Sequence, residues 1–105
     1  MEPRTVQQRR EELQILDVRE HDEWAAGRIE GAHHIPLGQL VARASELDRE
    51  RAVVTVCRSG QRASQATDLL TAAGWDAHTM DEGMTGWANA GLPMTTPNGK
   101  PGRVA

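Results

Sequence analysis

Cys57 is the residue of this chain that its type and surroundings best suit to covalent chemistry. It is the only cysteine among 105 residues. It ends the apolar, strand-like run from Ala52 to Val56 and precedes a polar loop that leads into a helical pattern. A thiol placed there faces unpaired N–H groups and the positive end of the helix dipole. Both favour the thiolate, the nucleophilic form, so we predict that Cys57 is a nucleophile.

The loop after Cys57 has the composition of an anion cradle. Gly60 allows backbone conformations that other residues avoid, and Arg58 and Arg62 carry permanent positive charge. Ser59 and Gln61 add polar groups. Backbone N–H groups curled around the sulfur would form an anion-binding nest. The loop is therefore expected to attract an anionic substrate, although either arginine could instead pair with a carboxylate.

Other assignments for these residues are weaker. A free cysteine is often just a small buried hydrophobe, but such a residue needs neither the glycine nor the arginines. Ser59 has no nearby base and no G-x-S-x-G context, so we do not assign it as a nucleophile. His33 and His34 are adjacent on a predicted strand and must point to opposite faces. With His21 and His78 they are assigned as structural or surface residues, and no metal site and no cofactor are predicted.

Length, composition and charge narrow the class of protein. A chain of 105 residues fits one domain. Its formal charge is -3 and its basic residues are scattered, which argues against a nucleic-acid partner. A lone cysteine can form neither an internal disulfide nor a zinc site, and no run approaches the roughly 18 apolar residues of a membrane span. We expect a cytoplasmic protein that does not bind membranes.

Strands and helices alternate along the chain. The residue patterns predict strands over Leu13–Val18, Ala32–Ile35, Ala52–Cys57 and Ala77–Met80, and helices over His21–Ala26, Gly38–Leu47, Arg62–Ala73 and Met84–Ala90. Alternation of this kind predicts a three-layer α/β domain with parallel strands and a ligand site at their carboxyl ends. Residues 1–94 are expected to form this single domain, and residues 95–105 a loosely ordered tail.

Four sequence blocks resemble the single-domain sulfurtransferases of the rhodanese family. The resemblance covers residues 13 to 94 and rests on ILDVREHDEW (15–24), GRIEGAHHIP (27–36), VVTVCRSGQRAS (53–64) and DEGMTGWANAGLP (81–93). It implies the rhodanese-like fold, in which helices flank a central, mostly parallel sheet of five strands.

The resemblance also implies a reaction. The family's active loop spans six residues, here CRSGQR with Cys57 as nucleophile, whereas related dual-specificity phosphatases have the longer C-x5-R. The shorter loop implies a thiosulfate sulfurtransferase. Cys57 would take sulfur from thiosulfate or another small anionic persulfide donor and pass it to cyanide, an external thiol or a sulfur-relay protein. Loop residues 58–62 would bind the substrate, while Asp17 and Arg19 support the loop.

The chain also departs from the family pattern. Gly27-Arg28-Ile29 stands where the family commonly has Gly-His-Ile. The polar segment before Leu13 offers no clear leading strand and predicts a helix over Val6 to Leu13 capped by Thr5. Two other functions stay open: a non-catalytic interaction module of the same fold, and a small phosphatase or arsenate reductase. An arsenate reductase would lack an internal resolving thiol.

Overall fold

Four parallel strands form the sheet that carries Cys57. The computed structural model describes all 105 residues and contains β1 (Leu13–Asp17), β2 (His33–His34), β3 (Ala52–Val56) and β4 (Ala77–Thr79). Their order is β2-β1-β3-β4, and every neighbouring pair is parallel. The register places Asp17 opposite Val56. The carboxyl ends of β1 and β3 therefore lie side by side, with Cys57 immediately beyond.

Five α-helices connect and cover these strands. They are α1 (Pro3–Gln8), α2 (His21–Ala26), α3 (Leu40–Arg43), α4 (Gln61–Ala72) and α5 (Gly83–Asn89). The predicted helix over Gly38 to Leu47 is broken, because 3-10 turns at Leu37–Gln39 and Ala44–Glu46 flank the single turn of α3. A 3-10 turn changes the angular spacing of side chains. Within α3, Leu40 is buried whereas its neighbour Val41 is 82 % exposed.

The expected fifth strand is absent, and so is the expected cap at Thr5. Residues 3 to 8 form α1 instead, with Pro3 in its first turn and Glu2 rather than Thr5 at the N-cap. Proline suits the first turn of a helix, where the N–H that it lacks would have no partner. Of the residues of α1 only Val6 is buried, and one apolar residue cannot supply the buried face of a strand. The sheet therefore begins at Leu13.

The core lies in two clusters, one on each face of the sheet. In β3, Val53 joins one cluster, whereas Val54 and Val56 join the other, as the alternation of a strand requires. Side chains of α3 and α4 complete the first cluster, and those of α1 and α5 complete the second. The domain thus has the three predicted layers. Cys57 belongs to the cluster on the α4 side.

The last residues of the chain lie against the end of α2. Thr95 forms isolated bridges with Arg28 and with Pro101, and the N–H of Arg103 donates to the carbonyl of Ala26. A side chain at Gly27 would overlap the backbone of Arg103. None of the helices combines the length and the apolar character that a membrane crossing requires.

Candidate active site

Cys57 is buried where β3 ends, and its sulfur accepts a hydrogen bond from the loop that follows. The residue is 1 % exposed and is a free thiol. The backbone N–H of Gly60 donates to Sγ over an N···Sγ distance of 3.0 Å. Gly60 is the N-cap of α4 with φ +118°, a conformation that L side chains rarely adopt. The glycine therefore lets the loop fold back over the sulfur within three residues.

Four further N–H groups of the loop have no acceptor in the protein. They belong to Arg58, Ser59, Gln61 and Arg62. Those of Gln61 and Arg62 are among the unpaired donors that open every α-helix, and the twelve residues of α4 add the positive end of its dipole. The loop can thus donate several hydrogen bonds to an anion next to Sγ.

Helix α5 holds the loop from the other side. The N–H of Met84 donates to the carbonyl of Cys57 at 2.8 Å, and that of Thr85 to the carbonyl of Arg58 at 3.0 Å. In a trans peptide the N–H points opposite to the C=O. The N–H groups of Arg58 and Ser59 therefore point away from α5.

Gly83 makes this contact between α5 and the loop possible. Its φ is +54°, and an added Cβ would overlap the carbonyl oxygen of Cys57 and lie 2.8 Å from the carbonyl carbon of Arg58. Gly83 was given no role from the sequence. It follows the predicted strand Ala77–Met80 by three residues, and a glycine so close to a strand end is a local sign that two backbones can approach each other there.

The two arginines of the loop have different hydrogen-bond partners. Both Nη atoms of Arg62 donate to the carboxylate of Glu23, Nη1 to Oε1 at 2.7 Å and Nη2 to Oε2 at 2.9 Å. Arg58 is exposed and pairs with no aspartate or glutamate side chain; its Nε donates to a main-chain oxygen of Ala105 at 2.9 Å. Of the two arginines predicted to face the substrate, only Arg58 has a guanidinium that is not paired with an acidic side chain.

Glu23 is a residue of the site that the sequence analysis missed. Its Oε1 also accepts from the N–H of Glu20 at 3.0 Å, as part of the capping box that begins α2. The hydrogen bond from Arg62 lowers the pKa of Glu23 to about 2, against an opposing effect of burial, and the same bond raises the pKa of Arg62. Glu three residues after Glu20 was a visible capping signal, but its pairing with a loop 39 positions away was not.

Asp17 and Arg19 form a fully buried pair beneath α2. Their side chains are 1 % and 0 % exposed. Nε of Arg19 donates to Oδ1 of Asp17 at 2.9 Å, and Nη2 donates to Oδ2 at 2.8 Å and to the carbonyl of Gly27 at 2.8 Å. Nη1 reaches the carbonyl of Glu23 at 3.3 Å. Arg19 thereby ties the end of β1 to both ends of α2, the helix that presents Glu23 to the loop.

The histidines and tryptophans serve several local contacts. Nε2 of His34 lies 2.7 Å from the carbonyl of Arg19, and its ring stacks on Trp24 with centroids 4.6 Å apart. Nε2 of His33 lies 2.8 Å from a carboxylate oxygen of Glu46. Trp87 is buried, and its Nε1 donates to the carbonyl of Pro93. The side chains form no group of three or more metal ligands.

The four cavities of the protein lie away from the thiol. Neither Cys57 nor any residue of its loop lines one of them. An anion bound next to the sulfur would therefore lie against the loop itself rather than in one of these cavities.

This chain is an α/β protein with a cysteine in the loop between a parallel strand and a helix. Backbone N–H groups of that loop form an anion-binding nest beside the thiol. The chain matches the family model of the rhodanese-like domain over residues 2–90. It belongs to the rhodanese-like domain family, as the four sequence blocks indicated.

Two proteins are similar to the chain in sequence, and a third has the same fold. A sulfurtransferase from Allochromatium vinosum is 36% identical over 90 residues, which cover 85% of this chain and 84% of that protein. The HTH-type transcriptional regulator Rv0324 of Mycobacterium tuberculosis is 40% identical over 85 residues, which cover 79% of this chain but only 38% of the regulator. The crystal structure of a rhodanese-related protein from Thermoplasma volcanium has the same fold, with a TM-score of 0.87 and 24% identity over 90% of this chain and 95% of that one.

Proposed function

We propose that this protein is a sulfurtransferase that carries sulfane sulfur as a persulfide on Cys57. The observation that carries the proposal is the geometry at the sulfur. Sγ accepts the N–H of Gly60 at 3.0 Å, inside a loop whose other N–H groups have no acceptor. Membership of the rhodanese-like family and the likeness to a named sulfurtransferase support it.

The proposed reaction has two displacements. The Cys57 thiolate attacks the outer sulfur of thiosulfate, a new S–S bond forms, and the old S–S bond breaks so that sulfite leaves with its electron pair. A nucleophile such as cyanide then attacks the outer sulfur of the persulfide, and thiocyanate leaves while the thiolate is restored. No other co-reactant is needed. Since the chain has one cysteine, the sulfur must pass to an external acceptor.

Each part of the loop has a proposed role in this reaction. The backbone N–H groups of residues 58–62 hold the anionic sulfur of the intermediate, and the guanidinium of Arg58 receives the anionic end of the donor. Asp17 and Arg19 act as supporting residues, because they are buried and reach the loop only through α2 and Glu23. The proposed acceptors are cyanide, a small thiol or a sulfur-relay protein, in a reducing cytoplasm that suits a free thiol.

Two other functions compete with this one. A phosphatase would need room for a phosphate, and C-x4-R is one residue shorter than the phosphatase loop that the sequence resembles. An interaction module without catalysis is the second alternative, in line with the likeness to one part of a transcriptional regulator. The intact bond between Gly60 and Sγ favours catalysis, because a module that only binds has no use for it.

The test is thiocyanate formation from thiosulfate and cyanide, with Cys57→Ser and Ser59→Ala measured in parallel. We expect Cys57→Ser to lose the activity and Ser59→Ala, which keeps every backbone donor, to retain most of it. Activity retained by Cys57→Ser would overturn the mechanism. Turnover of an aryl phosphate without transfer of sulfur would favour the phosphatase instead.

A further inference from the structure

The charged side chains around the active loop almost cancel. Arg62 is neutralised by Glu23 through two hydrogen bonds, and Arg19 is neutralised by Asp17. Arg58 is the arginine of the loop that has no aspartate or glutamate partner; its Nε donates to a main-chain oxygen of Ala105. Against it stands Glu82, an exposed carboxylate without an ion pair, next to the glycine that touches the carbonyl of Cys57. The side chains thus give the site little net positive charge.

Arg62 is fixed in this neutralised state by more than one contact. The carboxylate of Glu23 is only 15% exposed. It is oriented by the N–H of Glu20, and the carbonyl of Glu23 accepts from Arg19. A carboxylate oriented by Glu20, on a residue whose main chain is bonded to Arg19, is a preorganised partner for a guanidinium, and bidentate pairs of these groups are among the strong hydrogen bonds of proteins. Two of the five N–H donors of Arg62 are therefore bound to Glu23, and that carboxylate neutralises its positive charge.

This arrangement limits the negative charge that a well-bound donor can carry. Thiosulfate carries two negative charges, and a site that binds a dianion well commonly presents several cations, since each positive charge nearby attracts it. An organic persulfide, R–S–SH, is neutral or carries one negative charge at its reacting end. Backbone N–H groups suffice for such a donor.

We propose that Glu23 is a specificity-determining residue: by neutralising Arg62 it makes the loop select an organic persulfide over thiosulfate as sulfur donor. The inference rests on the proposed function and names its donor class. In the step, the Cys57 thiolate attacks the outer sulfur of R–S–SH and a new S–S bond forms. The original S–S bond breaks, R–S⁻ leaves with the electron pair and takes a proton from water, and the proton of the donor stays on the transferred sulfur.

The experiment compares two donors on the whole chain, thiosulfate and the persulfide of 2-mercaptoethanol, whose organic part is uncharged. The quantity measured is the ratio of the two kcat/KM values. A variant that is partly unfolded lowers both constants equally, so this ratio does not respond to a merely structural role. Glu23→Gln keeps an oxygen that can accept from Glu20 and Arg62 but removes the negative charge. Arg62→Gln removes the positive charge, and Asp22→Asn removes an exposed carboxylate of the same helix.

We expect the unaltered chain to prefer the persulfide. Glu23→Gln should shift the ratio towards thiosulfate by roughly fivefold, as one extra positive charge near a dianion requires, and Arg62→Gln should shift it by a similar factor the other way. Asp22→Asn should shift it less than about twofold, because an exposed charge is screened.

Four results would overturn the inference: a preference of the unaltered chain for thiosulfate, an unchanged ratio in Glu23→Gln, shifts of Glu23→Gln and Arg62→Gln in the same direction, or a shift in Asp22→Asn as large as that in Glu23→Gln. Failure of both donors to place sulfur on Cys57 would instead overturn the proposed function itself, and the inference with it.

Discussion

Two groups of residues at the active site differ in how deeply they are buried. The buried frame consists of Asp17, Arg19 and Gly83, which contact the loop or its supporting helix without reaching solvent. The charged rim consists of Arg58, Arg62 and Glu23, whose side chains reach the surface in part or fully. Both contain an arginine and a carboxylate. The two regions differ in burial. An unpaired charge therefore lowers the free energy of unfolding far more in the frame than at the rim.

We therefore expect changes in the two regions to affect different properties of the protein, its stability and its choice of donor. Changes in the frame should lower the free energy of unfolding, and changes at the rim should alter which donors react. The following variants test that division, in order of decreasing effect on stability.

Arg19→Met should have the largest effect. It leaves the carboxylate of Asp17 buried without its partner, and breaking a buried pair from one side costs about 3–5 kcal/mol. The free energy of unfolding, measured by urea denaturation, checks this. Arg9→Met is the matched control, since it breaks an exposed pair with Glu12 and should cost less than about 1 kcal/mol. Equal losses in the two variants would show that burial does not set the cost of breaking an ion pair in this protein.

Gly83→Ala should come next. Its Cβ would overlap the carbonyl of Cys57 at φ +54°, and overpacking of this kind costs about 1–3 kcal/mol. Gly91→Ala is the control, because Gly91 has a similar φ of +74° but open space around its Cα. We expect Gly83→Ala to lose sulfur transfer as well as stability, and Gly91→Ala to lose only stability. Equal activity in both variants would show that α5 does not position the loop.

Glu23→Gln should lower stability by about 1–2 kcal/mol, since the lowered pKa of Glu23 is linked to stability and the partial exposure of Arg62 reduces the effect, and the change should depend on pH. In the folded protein the pKa of Glu23 is lowered from 4.5 to about 2. A carboxyl with a lowered pKa stabilises the fold above its unfolded pKa, and this stabilisation is lost as pH falls through the folded value. The stability difference between the parent chain and Glu23→Gln should therefore be constant above pH 5 and shrink between about pH 4.5 and 2. A difference that stays the same down to pH 2 would contradict the assigned pair.

Arg58→Gln should have the smallest effect on stability, within about 0.5 kcal/mol, because the side chain is exposed. Its effect should appear in kinetics instead. Loss of one charge-assisted hydrogen bond to thiosulfate predicts a KM about tenfold higher with kcat little changed. Steady-state kinetics at constant ionic strength measure both constants. A lower kcat at unchanged KM would place Arg58 in the chemical step rather than in binding of the donor.

The sequence predicted the local parts of this site well. A run of β-branched residues ends at Cys57, and a pattern with helical spacing begins within five residues of it. Neighbouring residues were therefore enough to predict the strand, the loop and the helix. The observed α4 differs from its predicted span by one residue at each end. These elements depend on contacts close in sequence, which is why their patterns are visible without a structure.

The parts that the sequence did not predict depend on distant contacts or on the family pattern. The pairing of Glu23 with Arg62 joins residues 39 apart, and the bond from Met84 to Cys57 joins two loops through the sheet. No local pattern encodes either. The prediction of a fifth strand rested on the family resemblance and not on the residues themselves. The segment that was expected to supply it forms α1 instead, with a proline and polar residues in its first turn.

The most direct test of the central claim is the mass of the intact protein after incubation with a persulfide donor and again after addition of cyanide. The account predicts that the chain gains one sulfur atom, that peptide mapping places it on Cys57, and that cyanide removes it as thiocyanate. Cys57→Ser should gain none. A chain that never gains sulfur, or a Cys57→Ser variant that gains it equally, would contradict the account.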